Sequence, residues 1–218
     1  MSSGSGNRIP AMLSLTMKVF EIFCSIQGEG SHQGYPCTFI RLAGCNLACT
    51  WCDTPHARTG GTEMNLGEIA RRIGEVPSHY ICITGGEPLL QGDQLPPLLS
   101  YLQERGYSID IETNGTVDFR PFQPYASICM DVKCPSSGMT SDLSLLCHIS
   151  EKDSVKFVVG DREDCDYAAA VIQNHPVKGE IFFSPVFSSD YRQIANYIVT
   201  KDLRIRLQLQ LHKIIGVQ

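Results

Sequence analysis

The sequence predicts an α/β fold of parallel strands joined by crossover helices, and three observations carry that expectation. From Lys18 onward, short β-branched runs alternate with longer stretches of helical period. Most of those runs are bounded by Gly, Pro or polar residues. The 218 residues are 43% hydrophobic and 19% charged, which suits one compact domain with a real core.

In chain order the candidate strands are Val19–Cys24, Thr38–Leu42, Tyr80–Thr84, Ser108–Glu112, Ile128–Val132, Val155–Val159, Glu180–Ser184 and Arg204–Leu209, with eight as the upper count. A helix is expected after Asn65, which can cap it with Glu68 at the capping-box position. Its Leu66, Ile69, Ala70 and Ile73 share one face. A second, around Leu95–Arg105, opens with Pro96 and Pro97 in its first turn and stops at Gly106. Arg162–Gln173 and Tyr191–Val199 are further helix candidates. Residues 1–16, rich in Ser and Gly, read as a loose tail too broken for a signal peptide, so the domain spans 17–218.

Composition narrows function. A formal charge of -5 gives no broad footprint for nucleic acid or an anionic membrane, and no run approaches the ~18 apolar residues of a membrane span. A small-molecule substrate is favoured. Ten cysteines could suggest a disulfide scaffold, but Cys24, Cys82 and Cys129 fall in runs that read as buried strands, which points to a reducing cytoplasm.

The longest connection without regular pattern, from Cys45 to about Asn65, contains the main chemical signal. GCNLACTWCDT places Cys45, Cys49 and Cys52 as C-x3-C-x2-C directly after a strand. Composition alone gives on the order of 0.02 such matches. Three soft thiolates in a tight loop favour an iron–sulfur cluster or zinc. With no evident fourth protein ligand, one iron of a [4Fe-4S] cluster stays open to bind S-adenosylmethionine (SAM). Structural zinc completed by a residue such as His56, an electron-transfer cluster completed by Cys37, and chance or disulfide use remain as alternatives. The C-x3-C-x2-C loop resembles the signature of the radical SAM superfamily. ITGGEP, Ile83–Pro88, is similar to that superfamily's GGE motif, which contacts the SAM amino group and here involves Gly86 and Glu87.

Further landmarks resemble one family, 7-carboxy-7-deazaguanine synthase. They are SIQGEG (Ser25–Gly30), FIRLAGCNLACTWCDT (Phe39–Thr54), ETNGT (Glu112–Thr116), DVKCPSSGM (Asp131–Met139) and QLHK (Gln210–Lys213). The resemblance covers nearly the whole chain from Met17 and implies a shortened, incomplete (β/α) barrel, below the ~250 residues of a full one. It assigns Ile26, Gln27, Gly28 and Glu29 to substrate and Arg41 to the substrate carboxylate. Arg41 also sits among apolar strand residues, where an unpaired guanidinium would be costly, so it should meet an anion, with a structural ion pair as the alternative.

The resemblance also makes Thr54 a Mg²⁺ ligand, with Asp53 in support through water or serving the loop. Thr84 and His212 are placed at the substrate, and Glu112 at its ring nitrogens. Gly86, Asp131, Val132 and Lys133 are placed at SAM, and Glu112 with Thr54 would serve catalysis. One departure is Ser184-Pro185, where the family often has Gln-Pro.

The implied activity is conversion of 6-carboxy-5,6,7,8-tetrahydropterin to 7-carboxy-7-deazaguanine. It would proceed by hydrogen abstraction at C6, ring contraction and loss of ammonia, with SAM re-formed. The product would serve queuosine or archaeosine biosynthesis for tRNA modification. A homodimer and an electron donor such as flavodoxin or ferredoxin are implied with it. A glycyl-radical-activating enzyme shares the cysteine spacing, and a zinc-binding interaction module would need no chemistry at all. SIQGEG and CDT weigh against the former.

Overall fold

The computed structural model describes residues 15–76 and 78–218. Residues 1–14 of the expected tail lie outside them, and Thr16 already belongs to the first strand. Seven strands run parallel: β2 (Pro36–Leu42), β4 (Tyr80–Gly85), β5 (Ser108–Thr113), β6 (Ser127–Val132), β7 (Ser154–Val159), β8 (Glu180–Pro185) and β9 (Arg206–Leu207). The long β1 (Thr16–Ile26) is antiparallel to β2 on one side and to β3 (Thr62–Asn65) on the other, giving the order β3-β1-β2-β4-β5-β6-β7-β8-β9.

Among the described residues nine strands form, one more than the expected eight. β3 escaped because Thr-Glu-Met-Asn has one buried residue, Met64, and owes its extended form to pairing with β1. β9 is shorter than Arg204–Leu209 because the next residues bond to a loop instead of a strand. The Gln208 amide exchanges two 2.8 Å hydrogen bonds with Gly30, and Gln33 donates to the carbonyls of Gly28 (2.7 Å) and Leu209 (2.6 Å). These bonds bridge the gap between β1 and β9 that the backbone ladder leaves open, so the barrel is incomplete.

The four longer helices pack on the outer face. α1 (Leu66–Gly74) carries the expected capping box, with Glu68 N donating to Asn65 Oδ1 at 3.0 Å and Asn65 N to Glu68 Oε2 at 2.8 Å. α2 (Leu95–Glu104), α3 (Arg162–Asn174) and α4 (Tyr191–Thr200) match their expected ranges within one residue, and a short α5 (Leu211–Ile215) follows β9. The β5–β6 and β6–β7 crossovers hold only 3₁₀ turns, at Arg120–Phe122, Pro135–Ser137 and Leu143–His148, and this shortens the barrel. Among the described residues, no helix is long and apolar enough to cross a membrane.

Strand periodicity then divides the side chains. Ile40, Leu42, Ile81, Ile83, Ile111, Met130, Val132, Val155 and Phe157 join the core beneath the helices. The alternate positions Arg41, Thr84, Glu112, Asp131 and Lys156 line a cavity at the carboxyl ends of the strands. Cys82 and Cys129 are buried as expected, but Cys24 is exposed, because β3 pairs only with Thr16–Val19 and leaves the rest of β1 uncovered on that side.

Candidate functional site

The cavity holds about 600 Å³, and every landmark segment reaches it. The cysteine loop leaves β2 at one side. Its thiols Cys45, Cys49 and Cys52 border the same cavity, all ten cysteines are free, and burial pushes the Cys49 thiol up despite the pull of Lys133. The Leu47 N–H donates to Cys45 Sγ at 3.4 Å.

Neighbouring segments fix this loop. Thr50 N donates to the Ser137 carbonyl at 3.0 Å, Trp51 Nε1 to Ser136 Oγ at 3.0 Å, and Asn114 Nδ2 to Asn46 Oδ1 at 3.0 Å. The Gly85-Gly86 turn lies directly against it, with Glu87 N donating to Gly44 O at 2.8 Å. A methyl group on Gly86 would sit 2.2 Å from that same oxygen, so only glycine permits this approach. Cys45 and Gly86 therefore share one corner of the cavity.

Glu87 itself does not line the cavity. It is fully buried and accepts from Leu89 N (3.0 Å), Thr113 Oγ1 (2.9 Å) and Asn114 N (2.6 Å), tying the glycine turn to β5, while burial pushes its carboxyl up. Val132 also lies in the core, leaving Asp131 and Lys133 as the side chains of that segment that face the cavity. Their carboxylate and ammonium are 2.9 Å apart; burial opposes the charge on Lys133, but Asp131 outweighs it and holds its pKa up. Asp131 Oδ1 is buried without a hydrogen-bond partner among the described residues.

The opposite wall comes from the loop after β1. Gln27, Gly28 and Glu29 are buried there, with Ile26 beside them. Gly28 packs against His212 of α5 so closely that a methyl group would lie 2.0 Å from Nδ1. Burial pushes His212 down, so its imidazole is neutral near pH 7. Glu112 accepts from Thr84 Oγ1 at 3.1 Å, and burial pushes its carboxyl up. Arg41 lines the cavity, and its Nε pairs with Glu21 Oε1 at 2.8 Å, the structural ion pair expected as the alternative to a ligand anion. Thr54 lines the cavity and makes no capping hydrogen bond, whereas Asp53 is ion-paired with Lys213 at 2.8 Å.

Three features escaped the sequence reading. Lys156 is buried in β7 against Glu29, Gln210 donates to Glu29 Oε1 at 2.6 Å, and the chain's end, Val217 and Gln218, joins the wall. A single lysine inside SVKFVV was the available signal, by the argument applied to Arg41. Ser184 is fully buried outside the lining, its hydroxyl unpartnered among the described residues.

The chain also has close relatives. A profile of the radical SAM superfamily matches residues 39–127. The 7-carboxy-7-deazaguanine synthase of Methanospirillum hungatei JF-1 is 54% identical over 215 residues, covering 99% of this chain and 92% of that one. The enzyme of the same name from Thermoplasma acidophilum is 38% identical over 203 residues, covering 91% and 97%. The crystal structure of QueE from Escherichia coli matches with a TM-score of 0.75 at 26% identity, covering 96% of this chain and all of that one.

Proposed function

The chain belongs to the 7-carboxy-7-deazaguanine synthase family of radical SAM lyases, and from that premise we propose how its cavity divides the work. The family implies a [4Fe-4S] cluster, SAM, a reductant and a small-molecule substrate. The observation that carries the assignment is the meeting of all six landmark segments around one cavity. Cys45, Cys49 and Cys52 hold the cluster, and Gly86 with the Asp131–Lys133 strand end holds SAM. Bound there, these groups would supply the radical chemistry for hydrogen abstraction at C6 of 6-carboxy-5,6,7,8-tetrahydropterin.

The chain's own residues bind and orient that substrate. Arg41 has one nitrogen committed to Glu21 and offers its remaining N–H groups to the carboxylate. Glu112, held by Thr84, receives the ring N–H groups, and Gln27–Glu29 with neutral His212 close over the ring. Thr54, whose side chain makes no capping hydrogen bond, would offer its hydroxyl to a Mg²⁺ ion that helps orient the substrate carboxylate. Thr54→Ala is then expected to raise the Mg²⁺ concentration needed for half-maximal turnover, and an unchanged requirement removes that role. Ten free thiols suit a reducing cytoplasm, and the family implies a flavodoxin- or ferredoxin-like donor and a homodimeric assembly.

The test is anaerobic incubation of the reconstituted protein with SAM, reductant and the carboxylated tetrahydropterin. Mass spectrometry should find 7-carboxy-7-deazaguanine. SAM cleavage with the pterin recovered intact would overturn the substrate.

A further inference from the structure

Lys156 lies in a strand whose six residues are all buried, where an ammonium persists only with partners. β7 pairs with β6 so that Lys156 stands directly beside Asp131, and its Nζ is 3.7 Å from Asp131 Oδ2. The same Nζ contacts the Glu29 carboxylate of the loop after β1. From Glu29 the contacts continue through Gln210 to Lys213, at 2.6 and 2.9 Å, and from Lys213 to Asp53 at 2.8 Å. From Asp131 they continue to Lys133, whose Nζ lies 5.3 Å from the Trp51 ring centroid. The chain of contacts thus leaves the cluster loop at Trp51, passes round the cavity and returns at Asp53.

We propose that Lys156 is a positioning residue for the reaction. Its ammonium fixes the spacing between Glu29 on the substrate wall and Asp131 on the SAM wall, so that SAM cleavage stays coupled to hydrogen abstraction from substrate. This rests on the synthase reading. Burial works against the charge, but Glu29 and Asp131 hold the Lys156 pKa well up, so the contact persists across the working pH range.

Lys156→Met tests it in anaerobically reconstituted protein. The expected result is parental iron content and iron–sulfur absorption, with kcat lowered about 100-fold, KM little changed, and more 5′-deoxyadenosine released per deazaguanine formed. Lys156→Arg should restore much of the coupling. In the cluster-free chain, Lys156→Met should also speed hydrogen exchange at the Gln27–Gly30 amides. Parental coupling and parental exchange in Lys156→Met would overturn the proposal. If that variant fails to fold, Glu29→Gln/Lys156→Met removes both buried charges together, and the same coupling ratio decides. Loss of fold in both variants makes the role structural and also overturns it. A parental protein that cleaves SAM but forms no deazaguanine overturns the substrate assignment instead, and with it this inference.

Discussion

The two ends of the barrel's inner face use the same strands two residues apart and differ in how well their polar groups are satisfied. Toward the strand beginnings stand Phe39, Cys82 and Asp110; toward the ends stand Arg41, Thr84, Glu112 and Asp131. The lower set is closed. Phe39 stacks on Phe23 with ring centroids 4.9 Å apart, Asp110 is 2.7 Å from His32 Nδ1, and burial pushes the Cys37 and Cys82 thiols up. The upper set is open: Asp131 Oδ1 has no partner among the described residues, and burial leaves the Glu112 carboxyl pushed up. The same scaffold therefore yields stability where every charge is matched, and binding chemistry where demands are left for a ligand to meet.

That contrast can be broken from either end. Removing a cluster thiol at the upper rim has the largest expected effect: Cys49→Ala should abolish turnover and the iron–sulfur absorption while the far-ultraviolet circular dichroism stays parental. SAM cleavage at the parental rate would contradict the cluster assignment. Glu112→Gln should lower kcat/KM about 100-fold, the equivalent of about 3 kcal/mol in lost hydrogen bonds to a charged group, with little change in melting temperature. A loss of stability without loss of activity would move Glu112 into the closed set. Gly28→Ala, which drives a methyl group into His212, should raise KM about tenfold, and a crystal structure should show the imidazole displaced.

At the lower end the effect is smaller and different in kind. Asp110→Asn should leave kcat unchanged and cost about 1.5 kcal/mol in urea unfolding, since His32 is only partly buried. The hydrogen bond to Asp110 holds the His32 pKa above its ordinary 6.5, although burial opposes it. The native state then binds protons more tightly than the unfolded chain. The stability contributed is full below about pH 6.5 and is lost as pH rises through the raised value. Parental protein should lose part of its urea midpoint on going from about pH 6 to pH 8, and Asp110→Asn should lack that part. An identical pH profile in both proteins would show that the pair does not set it.

Much of this was legible in local pattern. The cysteine loop, the glycine pair, the capping box of α1 and the centres of the strands all depend on residues close in sequence. Partnerships across the fold were not. The commitment of Arg41 to Glu21, the closeness of Gly28 to His212 and the bond from Gln210 to Glu29 become visible only once β1, β2 and the C-terminal segment are brought together. Glu87 shows the limit well: a carboxylate next to two glycines resembles a ligand, yet tertiary packing makes it the brace of the turn. Lys156 shows the reverse. Its strand displays a period-two interruption of an apolar run, the same signal that marked Arg41, and the fold turns that interruption into a cavity-facing cation.

The central claim is that the open, upper end of the barrel brings the substrate's C6 hydrogen to the SAM-derived radical. The direct measurement is turnover with substrate deuterated at C6, followed by mass spectrometry of the recovered SAM. Deuterium in the 5′-methylene of SAM, accumulating with product, is the expected result; deazaguanine formed from labelled substrate with unlabelled SAM would contradict it.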